Sequence, residues 1–210
     1  MSVSPILKNE ETDYAQLMEI HHYLGAIPKI GEILWYVASY QAQWIALISF
    51  SAAALNCTAR DQWIGWSYRH RAGRLKLLAN NNRFLILPND SDKNMGSHIL
   101  SLCLKRLSSD WIKKYQHPVL LVETFVDPER FNSAVYRASN WQMIGYTRGF
   151  RRITNGYSDT GGTQKNDFCK THSQTSTSAF ISALIESSSY VRRSKNEDIC
   201  TANALITEFL

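Results

Sequence analysis

Glu123 is the residue with the clearest chemical demand, because residues 119–126 are otherwise apolar except for Thr124. A carboxylate in a strand that reads as buried must be paired or have a raised pKa. Two roles meet that demand. Glu123 is a general base that takes a proton from an acceptor amine, or it is the acidic half of an ion pair with Arg83, Arg130 or Arg137. A second group is Lys93, Gly96, Ser97 and His98, where a strand feeds a long helix through a short polar loop. The first N–H groups of a helix are unpaired and its dipole is positive there, which suits a phosphate. A capped helix start serves the same residues equally well. His98, when protonated, is also placed to meet a nucleic-acid phosphate. Asp127-Pro128 reads as a helix start, with Asp127 as N-cap. Asp127, Glu123 and Asp61 lack the spacing of a hard-cation loop, so no metal site is expected. The sequence holds no phosphate-binding Gly-rich loop, nucleophilic triad or His/Cys metal set.

The charge is unevenly spread. The chain has 210 residues and a formal net charge of +5. Residues 58–152 hold 16 basic and seven acidic side chains, while both flanks are slightly acidic. Three basic clusters stand out, around Arg69, Arg71 and Arg74, around Lys105 and Arg106, and at Arg148, Arg151 and Arg152. They alternate with Trp63, Trp66, Tyr68, Trp111 and Tyr146. Cations for phosphates and rings for bases are what a nucleic-acid groove requires. A solvated basic face with core aromatics is the simpler account of the same pattern.

Hydrophobic spacing supplies the elements that must hold these groups. Residues 13–24 show helical spacing between Asp13 and Gly25, a natural N-cap and C-cap. Residues 31–38 and 43–50 read as two strands of a hairpin. A short helix is expected within 53–69. Residues 75–79 and 83–88 read as strands, with Asn80–Asn82 as a turn or bulge between them. A long amphipathic helix is expected over 94–115, a strand over 119–126, a helix over 129–138 and a strand over 143–150. This is an α/β pattern. After residue 153 the chain becomes rich in Ser and Thr, so a domain over 1–153 followed by a weakly ordered tail over 154–210 is expected.

At 44% hydrophobic, the chain can bury a sizeable core. Its longest apolar run, residues 44–55, is too short for the roughly 20 residues a spanning helix needs. The opening residues do not resemble a secretory signal. Cys57, Cys103, Cys169 and Cys200 lie far apart, as suits a reducing compartment, so a cytoplasmic protein without a membrane partner is expected.

The order of elements is similar to that of the N-acetyltransferase (GNAT) fold, a single mixed sheet flanked by helices. That resemblance implies an acyl-coenzyme A site between two splayed parallel strands. The loop Lys93-Asn-Met-Gly96-Ser-His98 takes the place of the pyrophosphate loop. Tyr136-Arg-Ala-Ser-Asn140-Trp141 takes the place of the motif whose tyrosine protonates the departing thiolate. Asn140 replaces the usual Gly there, and Asn tolerates the left-handed conformation best after Gly. On this reading Glu123 and Tyr136 are catalytic, and Lys93, Gly96, Ser97, His98 and Asn140 contact acetyl-coenzyme A or another acyl-coenzyme A.

A more specific resemblance is to the family named after DruA, a component of the Druantia anti-phage system with transposon-associated relatives. It rests on His22-Tyr-Leu-Gly25, Arg60-Asp-Gln-Trp-Ile-Gly-Trp66, Asn82-Arg-Phe-Leu-Ile-Leu-Pro88, Gly96-Ser-His-Ile-Leu-Ser101, Glu123-Thr-Phe-Val-Asp-Pro-Glu-Arg-Phe131 and Tyr136-Arg-Ala-Ser-Asn-Trp141. Residues 165–172 fall where that family has a closing strand, with Asp167 and Thr171 in place of apolar and Pro residues. The resemblance implies an accessory protein of a defence system or transposable element. It would bind nucleic acid, with DNA favoured, or other defence-system or transposon proteins. The basic residues Arg69, Arg71, Arg74, Lys105, Arg106, Arg148, Arg151 and Arg152 are the expected contacts. An active acyl-coenzyme A-dependent N-acyltransferase is the alternative.

Overall fold

The computed structural model describes residues 1–88, 93–147, 151–153, 156–158 and 165–171. Seven strands form one sheet in the order β1-β2-β3-β4-β5-β9-β6. They are β1 (Ser2–Pro5), β2 (Ile33–Tyr40), β3 (Gln43–Ala52), β4 (Leu78–Ile86), β5 (Leu121–Val126), β6 (Gln142–Tyr146) and β9 (Asn166–Thr171). β7 (Arg151–Ile153) and β8 (Gly156–Ser158) pair separately. The helices are α1 (Glu11–His21), α2 (Thr58–Ile64), α3 (Tyr68–Arg74), α4 (Met95–Tyr115) and α5 (Ala134–Ala138).

The expected β2–β3 hairpin forms around Gln41 and Ala42, both at positive φ. Two left-handed residues give the turn whose twist matches that of the strands it joins. β4 is one strand rather than the expected two. Its register against β3 jumps from Ser49↔Arg83 to Phe50↔Asn81, leaving Asn82 as the extra residue of a bulge. The Asn81 amide donates to the carbonyls of Ser49 and Arg83, satisfying oxygens at the bulge. β4 and β5 run parallel and pair from Leu78↔Leu121 to Asn80↔Glu123, where the pairing ends.

Alternate residues of each strand point to opposite faces. Ala79, Val122 and Phe168 face α4, meeting its Ile99, Leu100, Cys103, Leu107 and Trp111. Leu78, Leu121 and Cys169 face the other way, onto Ile64 and Trp66 at the end of α2. α1 seals Ile33, Trp35, Val37 and Leu47 with Tyr14 and Met18.

Four expectations about elements are revised. The helix expected over 53–69 is two helices, because Gly65 turns left-handed at φ 81° and its N–H bonds back to the carbonyls of Asp61 and Gln62. That is a helix stop that a residue with a side chain resists. The helix expected from Glu129 begins only after Ser133. Asp127 Oδ1 accepts the Glu129 N–H in a turn, and Asn132 Oδ1 accepts the Ala134 N–H at the true helix start. α1 begins at Glu11, ahead of Asp13, and ends at His21, before Gly25. The sheet also continues past residue 153. β9 lies in the stretch assigned to the tail, yet it fills the place between β5 and β6 and buries Asp167, Phe168 and Cys169. Residues 172–210, most of the tail, lie outside the described residues.

Candidate functional site

The buried carboxylate and its partners occupy the α2 face of the sheet, where β4, β5 and β9 meet. Glu123 and Arg60 are both fully buried, with Arg60 Nη1 2.9 Å from Glu123 Oε2. Glu123 Oε1 accepts the Ala54 N–H at 2.8 Å. Arg60 donates from Nε and Nη2 to Asp61 Oδ1 and from Nη1 to the Ala54 carbonyl. Arg71 closes the chain of charges on Asp61 Oδ2 at 3.0 Å. Glu123 is therefore an ion-pair member, and its partner is Arg60 rather than Arg83, Arg130 or Arg137. Both of its oxygens are engaged and neither reaches solvent, which opposes a role as base toward an incoming amine.

Arg83 instead holds the carbonyls of Leu24 and Gly25. Arg130 sits 3.4 Å from Asp127. Beside the ion pair, the Cys57 thiol donates to Asp167 Oδ2 at 2.8 Å, and Asp167 is also fully buried. Neither Cys57 nor Asp167 is among the candidate site residues that the sequence offers. The only signal was a charged residue where the family pattern has an apolar one.

Burial pushes the Glu123 carboxyl up to about 7, against the pull of Arg60 and the Ala54 N–H. It pushes Asp167 up to about 6. Burial drives the Cys57 thiol well above its ordinary value, and the nearby Asp167 adds to this. For Arg60, burial favours loss of the charge, but Glu123 and Asp61 outweigh it and hold the guanidinium protonated. A carboxyl whose folded pKa lies above its unfolded value favours folding while protonated, and that advantage is lost as pH rises through the folded pKa. His22, which burial and Arg83 push down to about 4, contributes the opposite slope. The expected result is thus a difference. Subtracting the denaturation profile of Glu123→Gln from that of the native protein should leave stability that falls as pH rises from the ordinary carboxylate range to about 7. A flat difference would remove Glu123 from the linkage.

The opposite face carries the elements expected to hold a cofactor. The Tyr136 hydroxyl donates to Asn81 Oδ1 at 2.8 Å, and Thr124 Oγ1 donates to the Asn81 carbonyl at 2.9 Å. These bonds tie β4 to β5 and α5 just past the last parallel pair. The Tyr136 ring meets Trp141 edge-on and stacks near Phe168. Burial moves the Tyr136 hydroxyl up to about 12. Gly96 is buried, and a Cβ there would stand 3.0 Å from Val135 Cγ2 and 3.3 Å from Ile86 Cδ1. Its missing side chain lets α4 approach α5 and β4. The Ser97 hydroxyl is spent on the Asn94 carbonyl. Lys93 and His98 are exposed. Asn140 is left-handed at φ 57°, and the turn it makes delivers Trp141 to the core.

Among the described residues, the basic side chains do not form one surface. Arg69 is exposed on α3, beside Tyr68, which is 80% exposed. Arg71 is held by Asp61 and lies over the Tyr68 ring at 5.1 Å. Arg74 is buried. Lys105 is exposed on α4, across the sheet from α2. Arg106 is tied to Asp110 at 2.6 Å and to the Val3 carbonyl, so it braces α4 against β1. Arg148 lies outside the described residues, as do the side chains of Arg151 and Arg152. Stretches far apart in sequence converge at the ends of β4 and β5. Arg83 grips the carbonyls of Leu24 and Gly25, Tyr23 meets the Phe131 ring at 5.3 Å, and Tyr136 bonds Asn81.

A single mixed sheet with one short parallel pair, a bulge beside it and a long helix after the bulged strand defines a GNAT-like α/β fold. Solved structures share it. The ribosomal-protein-S18-alanine N-acetyltransferase of Escherichia coli is similar with a TM-score of 0.51 at 12% identity, covering 83% of this chain and 95% of its own. An N-acetyltransferase of Staphylococcus aureus Mu50 is similar with a TM-score of 0.51 at 9% identity, over 81% of this chain and 97% of its own. An aminoglycoside acetyltransferase in complex with coenzyme A and kanamycin gives a TM-score of 0.51 at 10% identity, over 81% and 94%. By sequence, no curated protein matches the chain. The family model for Druantia protein DruA matches residues 2–171, and the chain belongs to the DruA family. The matched region ends at the last residue of β9, so family and sheet share one boundary.

Proposed function

We propose that this chain is an accessory protein of an anti-phage defence system or a transposable element, whose GNAT-like scaffold binds nucleic acid, DNA in particular, or partner proteins without transferring an acyl group. The observation that carries the reading is Glu123, sealed in its ion pair with Arg60 at full burial. The chain's excess positive charge and the exposed Tyr68 and Arg69 support a nucleic-acid partner. The parallel β4–β5 pair supports the alternative, an acyl-coenzyme A-dependent N-acyltransferase. Against it stand the Tyr136–Asn81 bond and the packing at Gly96. Among the described residues no helix is long and apolar enough to cross a membrane.

Anisotropy of labelled DNA, titrated at several salt concentrations, tests the proposal. Affinity should fall with salt by about 0.9 log units per log unit of salt for each phosphate contact. Arg69→Ala should reduce that slope by about one contact. Arg106→Ala should leave it unchanged, because Arg106 is committed to Asp110. A calorimetric titration with acetyl-coenzyme A should show no binding. Micromolar binding that disappears in Gly96→Glu would favour the acyltransferase instead.

A further inference from the structure

Cys57, Glu123 and Asp167 come from the segment before α2, from β5 and from β9, and their ligand-capable atoms lie within 4.8 Å of one another. All three residues are buried. We propose that these three side chains form a binding site for one divalent transition-metal ion of the zinc type, locking the last strand of the sheet to β5 and to the start of α2.

Three observations carry this. The ligand types are a sulfur and two carboxylates, a set that suits zinc or cobalt and disfavours magnesium and calcium, which take oxygen alone. Among the described residues Asp167 Oδ1 has no hydrogen-bond partner, and it is buried on a side chain with no solvent exposure. A buried carboxylate oxygen left unpaired is costly, and a cation beside it removes the cost. Glu123 is held in orientation by Arg60 Nη1 on one oxygen and the Ala54 N–H on the other. Each oxygen keeps a further lone pair, and such outer hydrogen bonds are how metal-ligating carboxylates are usually fixed.

The charges also balance. A Cys57 thiolate and two carboxylates give three negative charges, and a divalent ion with the Arg60 guanidinium gives three positive ones. Asp61 and Arg71 neutralise each other alongside. On binding, the Cys57 proton now shared with Asp167 Oδ2 leaves to solvent. That frees both atoms for the ion. Affinity therefore rises with pH. Because the site is sealed, the ion enters during folding rather than by diffusion into the finished domain.

The experiment uses the full chain, refolded from denaturant with excess zinc or cobalt and freed of loose metal by gel filtration. Mass spectrometry should find one equivalent of zinc per chain. The cobalt form should show thiolate-to-cobalt charge-transfer absorption. Cys57→Ser should abolish that absorption, whereas Cys103→Ser, on the buried side of α4, should retain it. Asp167→Asn should weaken metal retention at least 10-fold. Less than a tenth of an equivalent of zinc, no charge-transfer band in the native protein, or a band that survives Cys57→Ser would each overturn the proposal. If Cys57→Ser does not fold, the native cobalt spectrum decides alone. None of these readouts depends on DNA binding.

Discussion

Arg60→Ala should lower the free energy of unfolding by about 3–5 kcal/mol, the usual cost of removing one partner from a buried ion pair. Glu123 would keep its carboxyl at zero exposure with only the Ala54 N–H on one oxygen and no cation to hold it ionised, so it takes up a proton that has no acceptor, and Asp61 would lose two hydrogen bonds. Urea denaturation is the measurement. Removing both partners separates the effect of the pair from that of the stranded charge. Arg60→Met with Glu123→Leu fills similar volume without charge, and such replacements are often neutral or stabilising. A double variant as unstable as Arg60→Ala would mean that the loss lies in packing and not in the unpaired carboxyl.

Phe168→Ala should cost a further class of stability, again about 3–5 kcal/mol, this time by opening a cavity. Phe168 is fully buried, belongs to the main core and lies 6.1 Å from the Tyr136 ring centroid. Phe131→Ala is the control, since that ring is 48% exposed and a comparable truncation there leaves no sealed void. If Phe168→Ala unfolds at the urea midpoint of the native protein, residues 166–171 are not part of the cooperative unit. The domain would then end near residue 153, as composition alone suggests.

The two variants probe what was hardest to read in the sequence. The β2–β3 hairpin, α4 and β5 were legible because their apolar residues recur at spacings of two or of three and four over many positions. β9 was not. It is a short strand whose central positions alternate Asp167, Phe168 and Cys169 inside a Ser/Thr-rich stretch, and the Asp is admissible only because Cys57 meets it. The need of Glu123 for a partner was evident from its strand, but the identity of that partner was not. Several arginines could supply the charge, and only the placement of α2 against β5 and β9 selects Arg60. Gly96 shows the converse. The motif at the helix start was visible in the sequence, yet the closeness of Val135 and Ile86, which the structure adds, gives that glycine a packing reason.

The place of β9 also sets an order on the birth of the protein. Among the described residues β6 has no neighbour in the sheet except β9, and β5 has β9 along one whole side. A ribosome delivers the chain from its N-terminus at roughly 5–20 residues per second. For roughly one to a few seconds after Tyr146 is made, β6 has nothing to pair with and β5 exposes an apolar strand edge. Such an edge is a template for pairing with another chain. The nascent protein is therefore most vulnerable to aggregation in the interval before Thr171 emerges. Slowing translation between these two residues should lower the soluble yield more than slowing it anywhere before β5.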